Sequence, residues 1–134
     1  MTIPLRYTLL IRSAGFSQQS PYTALHFARA LIACGHSLYR IFFYQDGVLN
    51  ANALIISAQD ETNIVYEWQT LARAHQVPLV LCSSAAVQRG ILNQAEAERY
   101  EKSAANLAVE FSLGGLGQLI DAIQQTDRFI SFGY

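Results

Sequence analysis

The feature that most constrains the fold is the alternation of short, continuous apolar runs with longer segments whose apolar residues recur at helical spacing. The apolar runs cover residues 7–11, 38–44, 79–81 and 128–132 and are rich in β-branched and aromatic residues, as in strands that are buried on both faces. Helical spacing follows in residues 20–34, 63–75 and 116–125. This alternation predicts an α/β fold, a three-layer sandwich with a mainly parallel central sheet of about five strands and helices on both faces.

Local signals set the boundaries of these elements. Ser20 before Pro21 predicts an N-cap and first helical turn, and Gly35 suits the left-handed position after the helix. Asp46-Gly47 is typical of a turn. Residues 48–57 are compatible with a loop or a short helix, and residues 93–106 with a surface helix or an irregular excursion. The glycine-rich residues 112–117 are expected to lead into the last helix.

Composition limits the class of protein. The chain has 134 residues, of which 51% are hydrophobic and 14% charged, which predicts a single domain over residues 1–134. A formal net charge of −1 without a basic tract argues against direct nucleic-acid binding. No apolar run reaches membrane-spanning length, the first twelve residues fit a strand better than a targeting signal, and two cysteines do not make a disulfide framework. We expect a cytoplasmic protein with no membrane association.

In parallel sheets, binding sites form beyond the carboxyl ends of strands. Three such ends carry polar or reactive residues here: the turn at residues 13–15, the turn that begins at Tyr44 and includes Asp46, and Cys82, which directly follows the run 79–81. These three ends are expected to lie on one edge of the sheet.

Cys82 is the main candidate for chemistry. It lies between a predicted strand and the helix-prone residues 85–89, which Gly90 ends. Unpaired backbone N–H groups at a helix start favour the nucleophilic thiolate form. Cysteine is also among the most buried residue types, so position alone leaves Cys82 as either a reactive thiol or a core residue.

The other candidates are weaker. Cys34 lies near a helix C-terminus beside an apolar stripe, and core packing is the expected role. Ser83 and Ser84 lack a Gly-x-Ser-x-Gly motif and a nearby histidine, so helix capping is expected, although their hydroxyls could also bond a terminal sulfur. Asp46 could be a general base or orient a partner, but the turn role is favoured.

Metal and phosphate chemistry lack their usual motifs. The two cysteines and three histidines show no Cys-x-x-Cys or His-x-x-x-His spacing, so neither a zinc site nor dithiol exchange is expected. Residues 114–117 (Gly-Gly-Leu-Gly) lack both the dinucleotide-binding and the Walker patterns, and close packing with helix entry explains these glycines. No cofactor is therefore expected.

Several motifs, in order along nearly the whole chain, resemble the TusD/DsrE family of the DsrE-like superfamily, most closely its TusD branch. The matching segments are Phe-Phe-Tyr-Gln-Asp-Gly-Val at 42–48, Asn-Ala-Asn at 50–52, Leu-Cys at 81–82 continuing to Arg-Gly at 89–90, Leu-Gly-Gly-Leu-Gly at 113–117, and Asp-Arg at 127–128 with Phe132. One departure is Gln88 before Arg89, where the family often has two arginines.

This resemblance implies a sulfurtransferase in which Cys82 carries sulfane sulfur as a persulfide and needs no cofactor. Tyr44, Asp46, Ser83, Ser84 and Arg89 are the expected supporting residues. The family further implies TusB- and TusC-like sister subunits in a heterohexamer, a TusA-like donor, a TusE-like acceptor, and 2-thiolation of the tRNA wobble uridine.

Three alternatives remain open. The chain could be a DsrE-type subunit of a sulfur-oxidation complex, a structural subunit in which Cys82 is incidental, or a generic nucleotide-binding α/β domain, since fold does not fix function. The oligomeric state is equally open, because apolar residues around Phe42, Phe43 or residues 48–56 could face either another subunit or the core.

Overall fold

A computed structural model describes residues 3–133 of the chain. Met1, Thr2 and Tyr134, which belong to the predicted domain 1–134 and in part to the N-terminal segment interpreted above, lie outside the described residues. The strands are β1 Arg6–Ile11, β2 Ser37–Phe43, β3 Leu79–Cys82, β4 Phe111–Gly114 and β5 Arg128–Phe132. The helices are α1 Ser20–Ala33, a 3-10 helix Gln45–Ala51, α2 Ile64–His75, α3 Ser83–Gln88, α4 Gln94–Arg99 and α5 Leu116–Gln125.

The five strands form one parallel sheet in the order β4-β3-β2-β1-β5. Helices cover both of its faces. Phe43 stacks edge-to-face on Trp68 of α2, whereas Arg40, three residues earlier on the same strand, donates a hydrogen bond to the Gln118 carbonyl of α5. Side chains an odd number of residues apart on a strand point to opposite faces, so α2 and α5 lie on opposite sides. The predicted three-layer α/β fold is confirmed.

The apolar runs of the central strands are buried because helices cover them from both sides. Phe42 and Phe43 of β2 are fully buried in the core together with Leu9, Ile11 and Trp68. The possibility that these two phenylalanines face another subunit is therefore wrong. Within the segment 48–56, Val48 is buried but Leu54 and Ile56 are exposed.

The start of α1 differs from the sequence-based expectation. The N-cap is Gln19, without a side-chain hydrogen bond, and Ser20 is already the first helical residue. The Ser20 hydroxyl instead forms a hydrogen bond with the hydroxyl of Ser13, in the loop after β1. Predicting Ser20 as the N-cap was wrong because this contact between loop and helix recruits its side chain. The helix end is as expected, with Gly35 at a φ of +91°.

The segment after β2 begins with the expected turn, in which the Gly47 N–H donates a 2.9 Å hydrogen bond to the Tyr44 carbonyl, and the turn continues as the 3-10 helix Gln45–Ala51. Gly47 is required by close approach, since a Cβ atom there would lie 2.0 Å from the Ile11 carbonyl oxygen. The glycine thus lets the 3-10 helix lie directly on the end of β1.

One further strand was not predicted, and a helix forms in a segment that the sequence left open. Strand β4 occupies residues that were expected only to lead into α5. Helix α4 forms part of the segment 93–106, for which a surface helix was one alternative, and its N-cap is Asn93, whose side chain accepts a hydrogen bond from the Glu96 backbone N–H. None of the helices within residues 3–133 has the length and the apolar character needed to cross a bilayer.

Candidate functional site

The predicted meeting of three strand ends on one sheet edge is confirmed. Parallel pairing aligns the carboxyl ends of β1, β2 and β3, with Ile11 opposite Phe43 and Phe43 opposite Leu81. The buried Asn50 side chain donates hydrogen bonds of 2.9 Å to the carbonyls of Ser13 and Gly47. It thereby fixes the loop after β1 against the 3-10 helix after β2.

A cavity of about 440 Å³ opens at this edge, within the size range of small-molecule sites. Five of the six predicted site residues line it, namely Tyr44, Cys82, Ser83, Ser84 and Arg89. The remaining lining residues are Gln45, Ala85, Gln88, Gly114, Gly115 and Leu116. The sixth predicted residue, Asp46, does not line the cavity, but it accepts a hydrogen bond from Arg89, which does.

Cys82 is the last residue of β3 and the N-cap of α3, as its sequence position indicates. Cys82 is 5% exposed and is one of the residues that line the cavity. It pairs with Gly114 of β4, where a Cβ atom would lie 2.6 Å from the Gln118 side-chain nitrogen and 2.9 Å from Val80. A side chain opposite the cysteine would therefore displace the Gln118 side chain and press on Val80, which fits the close packing expected for this glycine-rich segment.

The capping role expected for Ser83 and Ser84 is wrong, because α3 has no side-chain cap. Ser83 is the first helical residue, and its hydroxyl donates a 3.2 Å hydrogen bond to the Gly114 carbonyl. It thus connects the start of α3 to the end of β4. Ser84 is exposed on the cavity wall.

Arg89 and Asp46 form an ion pair across the edge of the site. Arg89 Nε donates to Asp46 Oδ1 at 2.8 Å, and Nη1 donates to the Ala85 carbonyl at 3.2 Å. The side chain of Arg89 is 30% exposed and that of Asp46 is 66% exposed, so solvent screens the pair and its contribution to stability is small. Its structural consequence is to fix the arginine between α3 and the 3-10 helix.

Some cavity residues were missed by the sequence interpretation. Gln45 has a φ of +52°, a conformation that is uncommon for residues other than glycine and often marks functional positions. Gln88, which in the sequence departs from the family pattern, also lines the cavity. Leu116 follows Gly114 and Gly115, and all three line the cavity. The two glycines were the sequence feature that could have indicated that this segment forms part of the cavity wall.

The second cysteine and the histidines lie outside the cavity lining. Cys34 is exposed at the C-cap of α1, so the expectation that it packs in the core is wrong: the apolar stripe of α1 ends before it. His36 accepts a hydrogen bond from the Leu5 N–H through Nδ1. Among residues 3–133, no group of three His, Cys, Asp or Glu side chains could hold a metal ion.

Comparison with known proteins shows the family of the chain. A model of the DsrE/DsrF-like family matches residues 6–132. The chain belongs to the DsrE/DsrF-like family. It is 43% identical to the sulfurtransferase TusD homolog of Vibrio cholerae and 45% identical to sulfurtransferase TusD of Sodalis glossinidius, in each case over 96% of this chain and 98% of the relative. These names confirm the interpretation of the chain as a sulfurtransferase of this family.

The ychN protein from E. coli shares the fold. Its structure superimposes with a TM-score of 0.74 over 97% of this chain and 100% of its own, at 20% sequence identity. At that identity the similarity concerns the fold alone.

Proposed function

We propose that Cys82 accepts sulfane sulfur as a persulfide from a donor protein and passes it to an acceptor protein. The observation that carries this proposal is the position of Cys82 in the cavity at the carboxyl edge of the sheet, which the fixed side chain of Arg89 also lines. Burial shields a persulfide from solvent, while the open cavity admits a partner's sulfur atom. Of the two cysteines, Cys82 alone has both properties.

The transfer needs no external oxidant or reductant. The Cys82 thiolate attacks the outer sulfur of the donor persulfide, so that a new S–S bond forms on Cys82 while the donor S–S bond breaks and the donor leaves as a thiolate. In the second step, the acceptor thiolate attacks the outer sulfur on Cys82, and Cys82 leaves as a thiolate. Each step exchanges one S–S bond for another.

The route proposed for this sulfur is 2-thiouridine formation at the tRNA wobble position, in the cytoplasm. The donor is a TusA-like carrier and the acceptor a TusE-like carrier, and this chain assembles with TusB- and TusC-like sister subunits in a heterohexamer. The proposal is supported by the near full-length similarity to proteins named sulfurtransferase TusD. A DsrE-type sulfur-oxidation role uses the same Cys82 chemistry with different partners.

Assembly with other subunits is supported by an apolar surface on the face opposite α2. Leu116, Ile120 and Ile123 of α5 and Phe129 of β5 are each between 38% and 54% exposed. Exposed apolar patches of this kind commonly mark protein interfaces. Because Leu116 also lines the Cys82 cavity, a subunit on this surface would reach the rim of the site.

The test of the proposal is persulfide loading followed by mass spectrometry. The protein is incubated with glutathione persulfide, and the intact mass and the modified peptide are measured. We expect the unsubstituted protein to gain one sulfur atom on Cys82 and to transfer it to a small thiol acceptor. Cys82→Ser should abolish this gain, because serine cannot form the S–S bond.

The exposed Cys34 provides the matched control. Cys34→Ser should load and release sulfur as the unsubstituted protein does, because Cys34 lies outside the cavity. An undiminished adduct in Cys82→Ser, or restored 2-thiouridine levels in cells that carry this variant as the sole copy, would contradict the proposal. The latter result would favour a structural subunit.

A further inference from the structure

The cavity contains one positive charge and no carboxylate. Its ionisable lining side chains are Tyr44, Cys82 and Arg89, while Asp46 stands behind Arg89 and outside the lining. A persulfide placed on Cys82 extends a further sulfur atom into this space. If the outer sulfur is anionic, Arg89 is the cationic residue of the cavity lining that can bind it.

The contacts of Arg89 leave part of its guanidinium available. The group has five N–H donors, of which the Nε–H is directed to Asp46 and one Nη1–H to the Ala85 carbonyl. These two anchors, on the 3-10 helix and on α3, fix the plane of the guanidinium. The remaining donors, two on Nη2 and one on Nη1, belong to a guanidinium whose plane is already fixed at a cavity that Arg89 lines.

We propose that Arg89 binds the outer sulfur of the Cys82 persulfide, and that Asp46 is a positioning residue that orients Arg89. This inference rests on the proposed function of Cys82. In the loaded state, the outer sulfur has lost its proton to solvent and accepts N–H hydrogen bonds from Arg89. In the transfer out, the acceptor thiolate bonds to that sulfur and the Cys82 sulfur leaves with the electron pair of the broken S–S bond.

Asp46 acts here as a hydrogen-bond acceptor more than as a charge. Its carboxylate is largely exposed, so its Coulomb effect on the cavity is screened. The Nε–H of Arg89 nevertheless needs an acceptor at this position to hold the guanidinium plane. An asparagine side chain would preserve an acceptor oxygen, whereas alanine would remove it.

The experiment measures loading of the full-length protein by glutathione persulfide, both as a rate and as the equilibrium fraction of loaded Cys82. Arg89→Gln removes a charge-assisted hydrogen bond and should lower the equilibrium constant for loading by about tenfold. Guanidinium ion added to Arg89→Ala should restore part of the loading. Asp46→Ala should slow loading, and Asp46→Asn should recover most of the lost rate.

Arg73→Gln is the matched control. Arg73 makes an equivalent ion pair through Nε, 2.9 Å from Glu110 Oε1, on an exposed surface outside the cavity lining. Loading equal to that of the unsubstituted protein is expected. Arg89→Lys keeps the inference testable if the glutamine variant does not fold. Lysine keeps the positive charge but cannot make both hydrogen bonds of Arg89, to Asp46 and to the Ala85 carbonyl. Intermediate loading is expected.

The possible outcomes separate this inference from the proposed function. If the unsubstituted protein loads sulfur on Cys82 and folded Arg89→Gln and Arg89→Lys variants load equally well, the role of Arg89 is overturned while the role of Cys82 stands. Asp46→Ala and Asp46→Asn with equally slow loading would overturn the positioning role of Asp46. If the unsubstituted protein acquires no sulfur on Cys82, the proposed function fails and this inference fails with it.

Discussion

At the scale of single residues, the site depends on a glycine that makes no chemical contact with the cavity. Gly47 brings the 3-10 helix onto the Ile11 carbonyl. That same helix carries Gln45 into the cavity wall and Asp46 to Arg89. The absence of a side chain at Gly47 therefore allows the 3-10 helix to pack against the end of β1.

Gly47→Ala should destabilise the protein. The new Cβ would lie 2.0 Å from a backbone oxygen, which cannot move without displacing β1, and steric overpacking of this kind costs about 3 kcal/mol. The free energy of unfolding, measured by urea denaturation, is the check. Gly117→Ala is the control, because a Cβ atom there meets open space and should leave stability unchanged or slightly higher. Equal stability of the two variants would contradict the role of Gly47.

At single residues, prediction from sequence succeeded where the residue lies at the end of a clear strand or helix pattern. Cys82 was placed at a strand end because the run 79–81 is continuous and apolar, and the structure agrees. The Arg89–Asp46 pair was not predicted as a pair, since 43 residues separate the two positions in the chain. Local sequence also could not show that Ser13 would recruit Ser20, or that α1 would leave Cys34 exposed.

At the scale of elements, α2 shows a helix whose start is determined by one side chain. Asn63 Oδ1 accepts hydrogen bonds from the backbone N–H groups of Val65 at 3.0 Å and Tyr66 at 3.2 Å. These groups have no partner within the helix. The N-cap thus stabilises the helix that buries Trp68 against β2.

Asn63→Ala should lower the free energy of unfolding by about 1 kcal/mol, because both N–H groups lose their acceptor. Asn63→Asp should retain the stability, since a carboxylate oxygen caps equally well and suits the positive end of the helix dipole. Thermal denaturation followed by circular dichroism compares the two variants. A similar loss in both would mean that the asparagine amide group, rather than capping, is what matters.

The elements predicted from sequence were those with a long periodic pattern. Helix α2 was expected over residues 63–75 and is Ile64–His75, and β5 matches its expected range. Strand β4 was missed because it is four residues long and ends in glycines, which locally favour a turn. Pairing with β3 supplies the stabilisation that its own sequence lacks. Helix α4 is six residues long and buries Ala97 alone, which is too little apolar periodicity for the sequence to decide between a surface helix and an irregular segment.

At the scale of the whole molecule, the two faces of the sheet are covered unequally. Helix α2 buries five residues, including Trp68, whereas Ala122 is the buried residue of α5. The apolar residues Leu116, Ile120 and Ile123 recur at four- and three-residue spacing and remain substantially exposed. The amphipathic pattern of α5 was correctly read from sequence as a helix, but the pattern alone could not show that much of this apolar stripe remains uncovered in the single chain.

This surface leads to a prediction about the proposed assembly. Ile120 lies in the middle of the stripe and is 54% exposed, so Ile120→Asp should leave the fold of the single chain intact. If DsrE/DsrF-like sister subunits cover the stripe, the substitution would bury an unpaired charge at the interface and weaken association by about tenfold or more. Sedimentation of the co-expressed complex measures this effect, with circular dichroism of the isolated chain as the test of folding.

Val109→Asp is the matched control for this experiment. Val109 is 68% exposed and precedes β4, outside the α5 stripe. Its substitution therefore places the same charge on an exposed apolar residue that does not belong to the stripe. We expect the complex to retain its size in Val109→Asp and to dissociate in Ile120→Asp. If the complex keeps its size in both variants, the subunits bind at a surface other than the α5 stripe. The exposed Leu54 and Ile56 would then be the next apolar surface to test.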